Sequence, residues 1–315
     1  MDILSIGEPM MEFSEIRDPH RGAIFLPGFG GDTSNFAVAT SRQGAKAGYL
    51  TRIGKDVFGD RLMELWEREG IDTSMVIRDA DAPTGIYFVT HDDNGHHFTY
   101  YRKGSAASML RPEDIREDVI ARAKVLHVSG ISQAISESCR AAVERAVRIA
   151  KSKGVIVSYD ANLRLKLWPL TIAKPVIEAT AVMSDYFLPS LEDAVQLTGL
   201  RDVKQIADYY LQTGVKRVVL KLGRKGVLVA TREERHFVEG FQVDAVDATG
   251  AGDTFDAAFI VRILNGDAMA EAARYANAAA AISTTGYGAV APIPYKETVQ
   301  AFLENQGYKS KDSSR

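Results

Sequence analysis

Short apolar runs alternate with longer amphipathic stretches along most of the 315-residue chain. The run at residues 3–6 is compact and apolar, as expected of a buried strand. Residues 56–69 instead carry apolar side chains at helical spacing and are followed by Gly70, which is a helix stop signal. Strands and helices that alternate in this way predict a parallel sheet with crossover helices.

The same patterning assigns elements to the rest of the chain. Strands are predicted near residues 3–6, 47–53, 125–129, 154–159, 185–188, 216–221 and 241–246, with an antiparallel pair at 227–230 and 235–238. Helices are predicted near residues 33–42, 56–69, 112–122, 136–152, 171–182, 191–198, 203–213 and 269–283. No linker or repeat divides this pattern, so we expect one α/β domain over residues 1–315.

Two aromatic and β-branched runs at residues 85–90 and 97–102 interrupt the alternation. Asn94-Gly95 lies between them and is a strong hairpin-turn signal. Together with shorter strand pieces at 10–14 and 23–26, these runs predict a small second sheet that acts as a lid over the main domain. An exposed lid sheet also favours a homo-oligomer. The lid is predicted to span residues 10–30 and 84–104.

Composition narrows the functional classes. A net charge of −3 offers no reason to expect nucleic acid or an acidic membrane as a partner. The single cysteine, Cys139, excludes an intrachain disulfide and fits a reducing cytoplasm. No apolar run approaches the length of a membrane span, and the chain starts in an apolar strand without an export signal. We therefore expect a cytoplasmic protein with small-molecule partners.

The strongest chemical signal is the run at residues 247–256, Asp-Ala-Thr-Gly-Ala-Gly-Asp-Thr-Phe-Asp. Apolar residues recur at helical spacing after it, so Gly250 and Gly252 lie where a loop enters a helix. The N–H groups at that end lack intrahelical partners and can hold a phosphate or a developing negative charge. Asp253 would repel a resting phosphate, but it can accept the proton of an attacking hydroxyl.

This run resembles the D-T-x-G-A-G-D signature of the ribokinase-like (phosphofructokinase-B type) carbohydrate kinases, with Ala248-Thr249 in place of Thr-x. The resemblance extends over nearly the whole chain. It implies a three-layer fold, in which helices flank a mostly parallel sheet, and the use of ATP with Mg²⁺. It also implies that Asp253 is the catalytic base. The implied anion hole consists of the backbone amides of Gly250, Ala251, Gly252 and Asp253.

A second glycine-rich turn, Gly30-Gly31, leads into the predicted helix at residues 33–42. Taken alone, Asp32 or Thr33 can serve as an N-cap for that helix. The resemblance adds the family's N-terminal sugar signature at this position. It implies that substrate hydroxyls are contacted by Gly31, Asp32 and Asn35.

One branch of the family, the 2-keto-3-deoxygluconate kinases, is the most similar to segments 98–106, 126–132 and 162–168. Its sugar acid is bound by residues that match Tyr87, Tyr100, Arg102 and Arg164. Asn162 and Arg164 also follow a predicted strand, at the sheet edge where open α/β sheets collect ligands. Two arginines in one pocket suit a substrate carboxylate, and the phosphate would go to the C6 hydroxyl. Two alternatives stay open: a kinase of a neutral sugar such as fructose or ribose, and a non-catalytic sugar-binding or regulatory protein.

Nucleotide contacts are implied at the family's K-x-G segment, which Lys221 and Gly223 match here, with Gly226 close by. A solvent-exposed turn rich in lysine and arginine explains the same residues about as well. An adenosine pocket would be completed by Gly250, Asn277 and residues 283–288.

Metal contacts rest on weaker matches. Residues 190–193 stand where the wider family has N-x-x-E, a motif tied to magnesium and phosphate, but Ser190 and Asp193 depart from it. Asp193 would contact Mg²⁺ through water. A helix cap with acidic first-turn residues is the simpler explanation of the same letters. Backbone around Asp247 and Thr249 would bind an activating monovalent cation such as K⁺.

Overall fold

The computed structural model describes residues 1–18, 20–92 and 95–308. In this part of the chain the strands are β1 Ile3–Ile6, β2 Met10–Asp18, β3 Gly22–Gly30, β4 Ala47–Gly54, β5 Val76–Asp79, β6 Ile86–Asp92, β7 Gly95–Tyr101, β8 Val125–Ser129, β9 Ile156–Asp160, β10 Tyr186–Phe187, β11 Val218–Lys221, β12 Gly226–Ala230 and β13 Arg235–Glu239. The helices are α1 Asp32–Arg42, α2 Val57–Arg68, α3 Glu117–Ile120, α4 Gly130–Ala134, α5 Glu137–Ser152, α6 Leu170–Met183, α7 Leu191–Thr198, α8 Val203–Thr213, α9 Ala251–Leu264, α10 Met269–Ser283 and α11 Lys296–Asn305. Short 3₁₀ helices lie at Ala106–Met109, Pro112–Asp114 and Gly223–Lys225.

The larger sheet contains nine strands in the order β13-β12-β11-β10-β9-β8-β1-β4-β5. Neighbouring strands from β11 to β5 are parallel, and β12 and β13 are added antiparallel at one edge. Near the middle of the sheet, Ile3 of β1 faces Ala47 on one side and Val125 on the other. The predicted mostly parallel sheet is therefore confirmed.

Helices cover the larger sheet on both faces. Leu4 and Ile6 of β1 belong to a buried apolar cluster with Val143 of α5, whereas Ile3 belongs to another with Phe259 of α9. Successive side chains of a strand point to opposite faces. A strand buried on both faces therefore needs apolar side chains on both, which Ile3, Leu4 and Ile6 provide. Ser5 is the polar exception, and its hydroxyl donates to the Thr33 carbonyl at 2.8 Å.

The smaller sheet contains four strands in the order β3-β2-β6-β7. It confirms the predicted second sheet, but β2 and β3 are each nine residues long, well beyond the pieces predicted at 10–14 and 23–26. These strands pair residue for residue from Met10 opposite Gly30 to Asp18 opposite Gly22. Backbone pairing thus continues through polar positions that side-chain patterning did not assign to a strand. Of the predicted hairpin turn, Asp93 and Asn94 lie outside the described residues.

Two predicted elements are wrong. Residues 241–246 form no strand, because the amides of Val246 and Asp247 both donate to the carbonyl of Thr284, at 2.7 and 3.1 Å, and not to a sheet. The predicted helix at 112–122 is divided into a 3₁₀ turn at Pro112–Asp114 and the separate helix α3. The division falls at Ile115 and Arg116, whose backbones are extended. Sequence patterning also missed β5 and α11. In the described parts of the chain, no helix is long and apolar enough to cross a membrane.

Candidate active site

A cavity of about 980 Å³ lies between the two sheets, at the carboxyl ends of the parallel strands. Met10, Tyr87 and Tyr100 of the smaller sheet form one wall, and Asp160 and Lys221, which end β9 and β11, form the other. This edge of an open α/β sheet is where ligands usually bind.

Most of the predicted site residues line this cavity. They are Gly31, Asp32, Asn35, Tyr87, Tyr100, Arg102, Asn162, Arg164, Asp193, Lys221, Gly223, Asp247, Thr249, Gly250, Gly252 and Asp253. Three others are not part of its lining. The amide of Ala251 already donates to the Ala248 carbonyl at 3.2 Å. Gly226 and Asn277 contact β13 instead. A Cβ on Gly226 would lie 2.1 Å from the Val238 carbonyl oxygen. The side-chain amide of Asn277 donates to the same oxygen at 3.1 Å.

The loop before α9 presents backbone amides to the cavity. Gly250 caps the helix in the left-handed region, with φ of 75°, and its carbonyl accepts the amide of Thr254 at 2.9 Å. Within the described residues, the amides of Gly252 and Asp253 have no hydrogen-bond partner. Such unpaired N–H groups at a helix N-terminus attract an anion.

The carboxylate of Asp247 organises the same loop. One oxygen accepts from the amide and hydroxyl of Thr249, at 2.9 and 2.7 Å, and the other accepts from the amide of Gly288 at 2.9 Å. The side chain of Asp247 therefore joins the glycine loop to the loop after α10. Cation binding by the backbone here stays a prediction.

Asp253 lies in the first turn of α9 and is partly exposed to the cavity. Its Oδ2 accepts a hydrogen bond of 2.8 Å from the Asn35 amide. Burial, followed by the charge of Asp32, raises the pKa of Asp253 to about 7, although the Asn35 hydrogen bond opposes the rise. A carboxylate with a pKa near neutrality is suited to accept a proton.

The residues of the first glycine turn are fixed by neighbouring polar groups. Asp32 Oδ1 accepts from the Thr33 amide at 2.8 Å, and Oδ2 accepts from Asn162 Nδ2 at 3.0 Å. Gly31 has φ of 98°, and a Cβ there would lie 2.2 Å from the Glu8 carbonyl oxygen, so only glycine fits. Asn162 itself has φ of 31°, a conformation that is rare outside glycine and recurs at functional sites.

The two arginines of the cavity differ in their partners. Arg102 forms an ion pair with both carboxylate oxygens of Glu8, which is 1% exposed, and its guanidinium lies 5.2 Å from the centre of the Tyr100 ring. Arg164 is exposed and has no ion pair within the described residues; its Nη1 donates only to the Leu163 carbonyl. The charge of Arg102 is thus neutralised by Glu8, whereas the charge of Arg164 is available to a ligand in the cavity.

Lys221, at the end of β11, contacts two carboxylates. Its Nζ is 2.9 and 3.0 Å from the Asp256 oxygens and 3.2 Å from Asp160 Oδ2. Burial alone would lower the pKa of Lys221, but Asp160 and Asp256 raise it above its usual value. The side chain is therefore a largely buried ammonium ion.

The donor set fits a magnesium ion that is carried mainly by phosphates and water. Within the described residues, no three acidic, histidine or cysteine side chains form a set that could hold a metal ion. Asp193 lines the cavity, and burial, followed by the charge of Asp160, raises its pKa to about 6. Mg²⁺ commonly takes one or two carboxylates and completes its shell with water and substrate phosphates. Ser190 Oγ accepts a hydrogen bond from the Asp193 amide, so the helix-cap explanation of residues 190–193 also holds.

Sequence reasoning missed Glu8, Asp160 and Asp256. Glu8 follows β1 and Asp160 ends β9, so the rule that ligands collect at the carboxyl ends of strands could have identified both. Asp256 follows Asp253 by three positions on α9, and this spacing puts the two carboxylates on the same side of the helix.

A parallel sheet between helices, with a second sheet over its carboxyl edge, defines a ribokinase-like α/β protein. The chain belongs to the pfkB family of carbohydrate kinases, whose family model matches residues 1–296. It is 34% identical over 312 residues to the 2-dehydro-3-deoxygluconokinase of Bacillus subtilis, covering 97% of this chain and 96% of that protein. It is 36% identical over 319 residues to an Arabidopsis thaliana protein named "Probable fructokinase-4", covering 96% of each.

A solved structure gives the same result for the fold. A ribokinase II candidate from E. coli, in complex with ATP and Mg²⁺, aligns with a TM-score of 0.89. It is 26% identical in sequence, and the alignment covers 96% of this chain and 99% of that one.

Proposed function

We propose that this carbohydrate kinase transfers a phosphoryl group from ATP to the C6 hydroxyl of 2-keto-3-deoxygluconate, forming 2-keto-3-deoxy-6-phosphogluconate. The observation that carries the proposal is the position of Asp253. This partly exposed carboxylate stands beside the amides of Gly252 and Asp253, in a cavity that also contains the cation of Arg164. In the described part of the chain neither of the two amides has a hydrogen-bond partner, and the Arg164 cation donates only to the Leu163 carbonyl and has no ion pair. The similarity to the Bacillus subtilis kinase supports the same substrate.

In the proposed reaction, Asp253 accepts the proton of the C6 hydroxyl as its oxygen forms a bond to the terminal phosphorus of ATP. The bond from that phosphorus to the bridging oxygen breaks, and ADP leaves. The amides of Gly252 and Asp253, with that of Gly250, stabilise the charge on the transferred group. Gly31, Asp32, Asn35 and Asn162 orient the sugar.

The nucleotide would lie along the same edge of the sheet, near Lys221 and Gly223. Gly226 and Asn277 are outside the cavity lining, so their contribution is to shape the β13 side of an adenosine pocket. Mg²⁺ would be held by ATP phosphates and, through water, by Asp193, and it supplies charge neutralisation to the phosphates. Binding of K⁺ by the backbone near Asp247 and Thr249 belongs to the same proposal.

Substrate choice depends on the cations of the cavity. Arg164 would bind the sugar carboxylate, with Tyr87, Tyr100 and Arg102 around it. A second candidate, a kinase of a neutral sugar such as fructose, is favoured by the ion pair between Glu8 and Arg102, because a resident carboxylate already occupies one of the two arginines. The similarity to the Arabidopsis thaliana protein agrees with this second candidate.

The remaining parts of the proposal concern the whole chain. Residues 1–315 act as one kinase domain, and segments 10–30 and 84–104 act as a lid that excludes water during transfer. Exposed apolar side chains on the smaller sheet, such as Phe25 and Leu26, suit pairing with a second copy. The buried Cys139 fits a cytoplasmic protein.

A coupled assay of ADP release with ATP and Mg²⁺ tests the proposal. It compares 2-keto-3-deoxygluconate with fructose and ribose at matched concentrations. Turnover that strongly favours the keto acid is expected. A preference for a neutral sugar would retain the kinase and replace the substrate, and absence of turnover on a wider sugar panel would leave a sugar-binding or regulatory protein.

A further inference from the structure

A fully buried aspartate, Asp256, lies one turn after Asp253 on α9. Its neighbours Ala257, Ala258 and Phe259 are buried apolar residues. Both of its carboxylate oxygens accept from Lys221 Nζ, at 3.0 and 2.9 Å. It is not part of the cavity lining, whereas Lys221 is.

A buried ion pair is a poor source of stability, because removing two charges from water costs about as much as their attraction returns. An apolar side chain at position 256 would continue the buried face of α9 at no such cost. The pair therefore requires an explanation other than stability, and its position supplies one. The Lys221 ammonium lies 3.7 Å from the point that a Cβ on Gly252 would occupy, and within the described residues the Gly252 amide has no hydrogen-bond partner.

We propose that Asp256 is a positioning residue for phosphoryl transfer, which holds the Lys221 ammonium against the Gly252 loop so that a positive charge stands where negative charge develops on the transferred group. Asp160 Oδ2 lies 3.2 Å from the same ammonium, so two carboxylates hold Lys221. This inference rests on the proposed function of the glycine loop. It adds that Lys221 acts on the transferred phosphoryl group and that Asp256 acts only through Lys221.

The test is a double-mutant cycle with Asp256→Asn, Lys221→Met and the combined variant, measured as kcat and KM on the best sugar. Asp256→Asn should lower kcat by about 10- to 100-fold, less than the loss of a complete anion-hole donor. KM for the sugar should change less than about twofold, because Asp256 does not reach the cavity. The combined variant should be no slower than Lys221→Met alone. Additive losses, or an Asp256→Asn rate within twofold of the unmodified protein, would overturn the inference.

Asp185→Asn is the matched control. Asp185 accepts from Lys151 at 3.0 Å and from Lys216 at 2.8 Å, and it precedes β10 at the amino edge of the sheet, away from the cavity. Its loss should leave kcat unchanged.

If Asp256→Asn does not fold, Lys221→Arg serves instead, because it keeps the charge but changes its position. A normal rate in Lys221→Arg would contradict a requirement for precise placement. The unmodified protein is assayed first: if it turns over no sugar, the proposed function fails, whereas turnover with an unaffected Asp256→Asn rejects the inference alone.

Discussion

Asn35 Nδ2 donates a hydrogen bond of 2.8 Å to Asp253 Oδ2, and these two residues are 218 positions apart in the chain. The bond connects the first turns of α1 and α9, so each glycine-rich turn contributes one partner. The other amide atom, Asn35 Oδ1, is buried and has no partner within the described residues. An unsatisfied acceptor beside the proposed base suits a substrate hydroxyl, from which it could accept a hydrogen bond.

Replacement of Asp253 tests its role as the base. Asp253→Asn should lower kcat by at least about 100-fold, because an amide cannot accept the hydroxyl proton. ATP should still bind, since the backbone amides of the loop do not depend on this side chain. Steady-state rates and calorimetric titration with ATP measure the two effects separately.

Asp267→Asn is the control for that substitution. Asp267 pairs with Arg262 at the other end of α9, at 2.7 Å. The control substitution therefore also removes a paired carboxylate, but one that is not part of the cavity. A normal rate in Asp253→Asn would remove Asp253 from the base role.

The pKa of Asp253 predicts the pH dependence of the reaction. Because the working form is the carboxylate and its pKa is about 7, kcat/KM should fall about tenfold per pH unit below that value and level off above it. The Asn35 hydrogen bond favours the charged form and lowers this pKa, so Asn35→Ala should move the midpoint to higher pH.

The position of the midpoint is the readout for Asn35→Ala, since sugar binding is also expected to weaken. Gln43→Ala provides the comparison: this buried amide bonds to Pro294 and Tyr275 and does not line the cavity. A midpoint that stays in place, or moves to lower pH, would separate Asn35 from the titration of Asp253.

Arg164 should distinguish a sugar acid from a neutral sugar. Arg164→Ala should raise KM for 2-keto-3-deoxygluconate by about tenfold or more, the usual effect of losing one charged hydrogen bond. KM for fructose should change little. Lys166→Ala is the matched control, since Lys166 is another exposed cation from the same loop. Equal effects of Arg164→Ala on both sugars would argue against carboxylate binding and favour the neutral-sugar kinase.

The sequence predicted features that depend on neighbouring residues and missed those that depend on distant ones. The glycine loop before Asp253 is a local pattern, and its helix could be predicted from the apolar spacing that follows. The ion pair of Arg102 with Glu8 joins residues 94 positions apart, so the sequence alone could not show that the charge of Arg102 is neutralised. Residues 241–246 alternate like a strand, but tertiary bonds from Val246 and Asp247 to Thr284 determine their conformation.

We expect Gly250 to be irreplaceable for two reasons: its backbone conformation and its close approach to neighbouring backbone atoms. It has φ of 75° and ψ of 1°, and a Cβ there would lie 2.8 Å from the Ala289 carbonyl oxygen. Gly199 has nearly the same conformation, with φ of 75° and ψ of −3°, but a Cβ there would meet nothing within 4 Å.

Gly250→Ala and Gly199→Ala therefore share the cost of a left-handed alanine, about 1–2 kcal/mol. Only Gly250→Ala adds a steric clash, which would displace the loop that presents the amides of Gly252 and Asp253. It should lose more free energy of unfolding than Gly199→Ala in denaturant titrations, and it should also lose kcat, which Gly199→Ala should retain. Equal stability and equal activity in the two variants would mean that the contact with Ala289 does not determine the position of the loop.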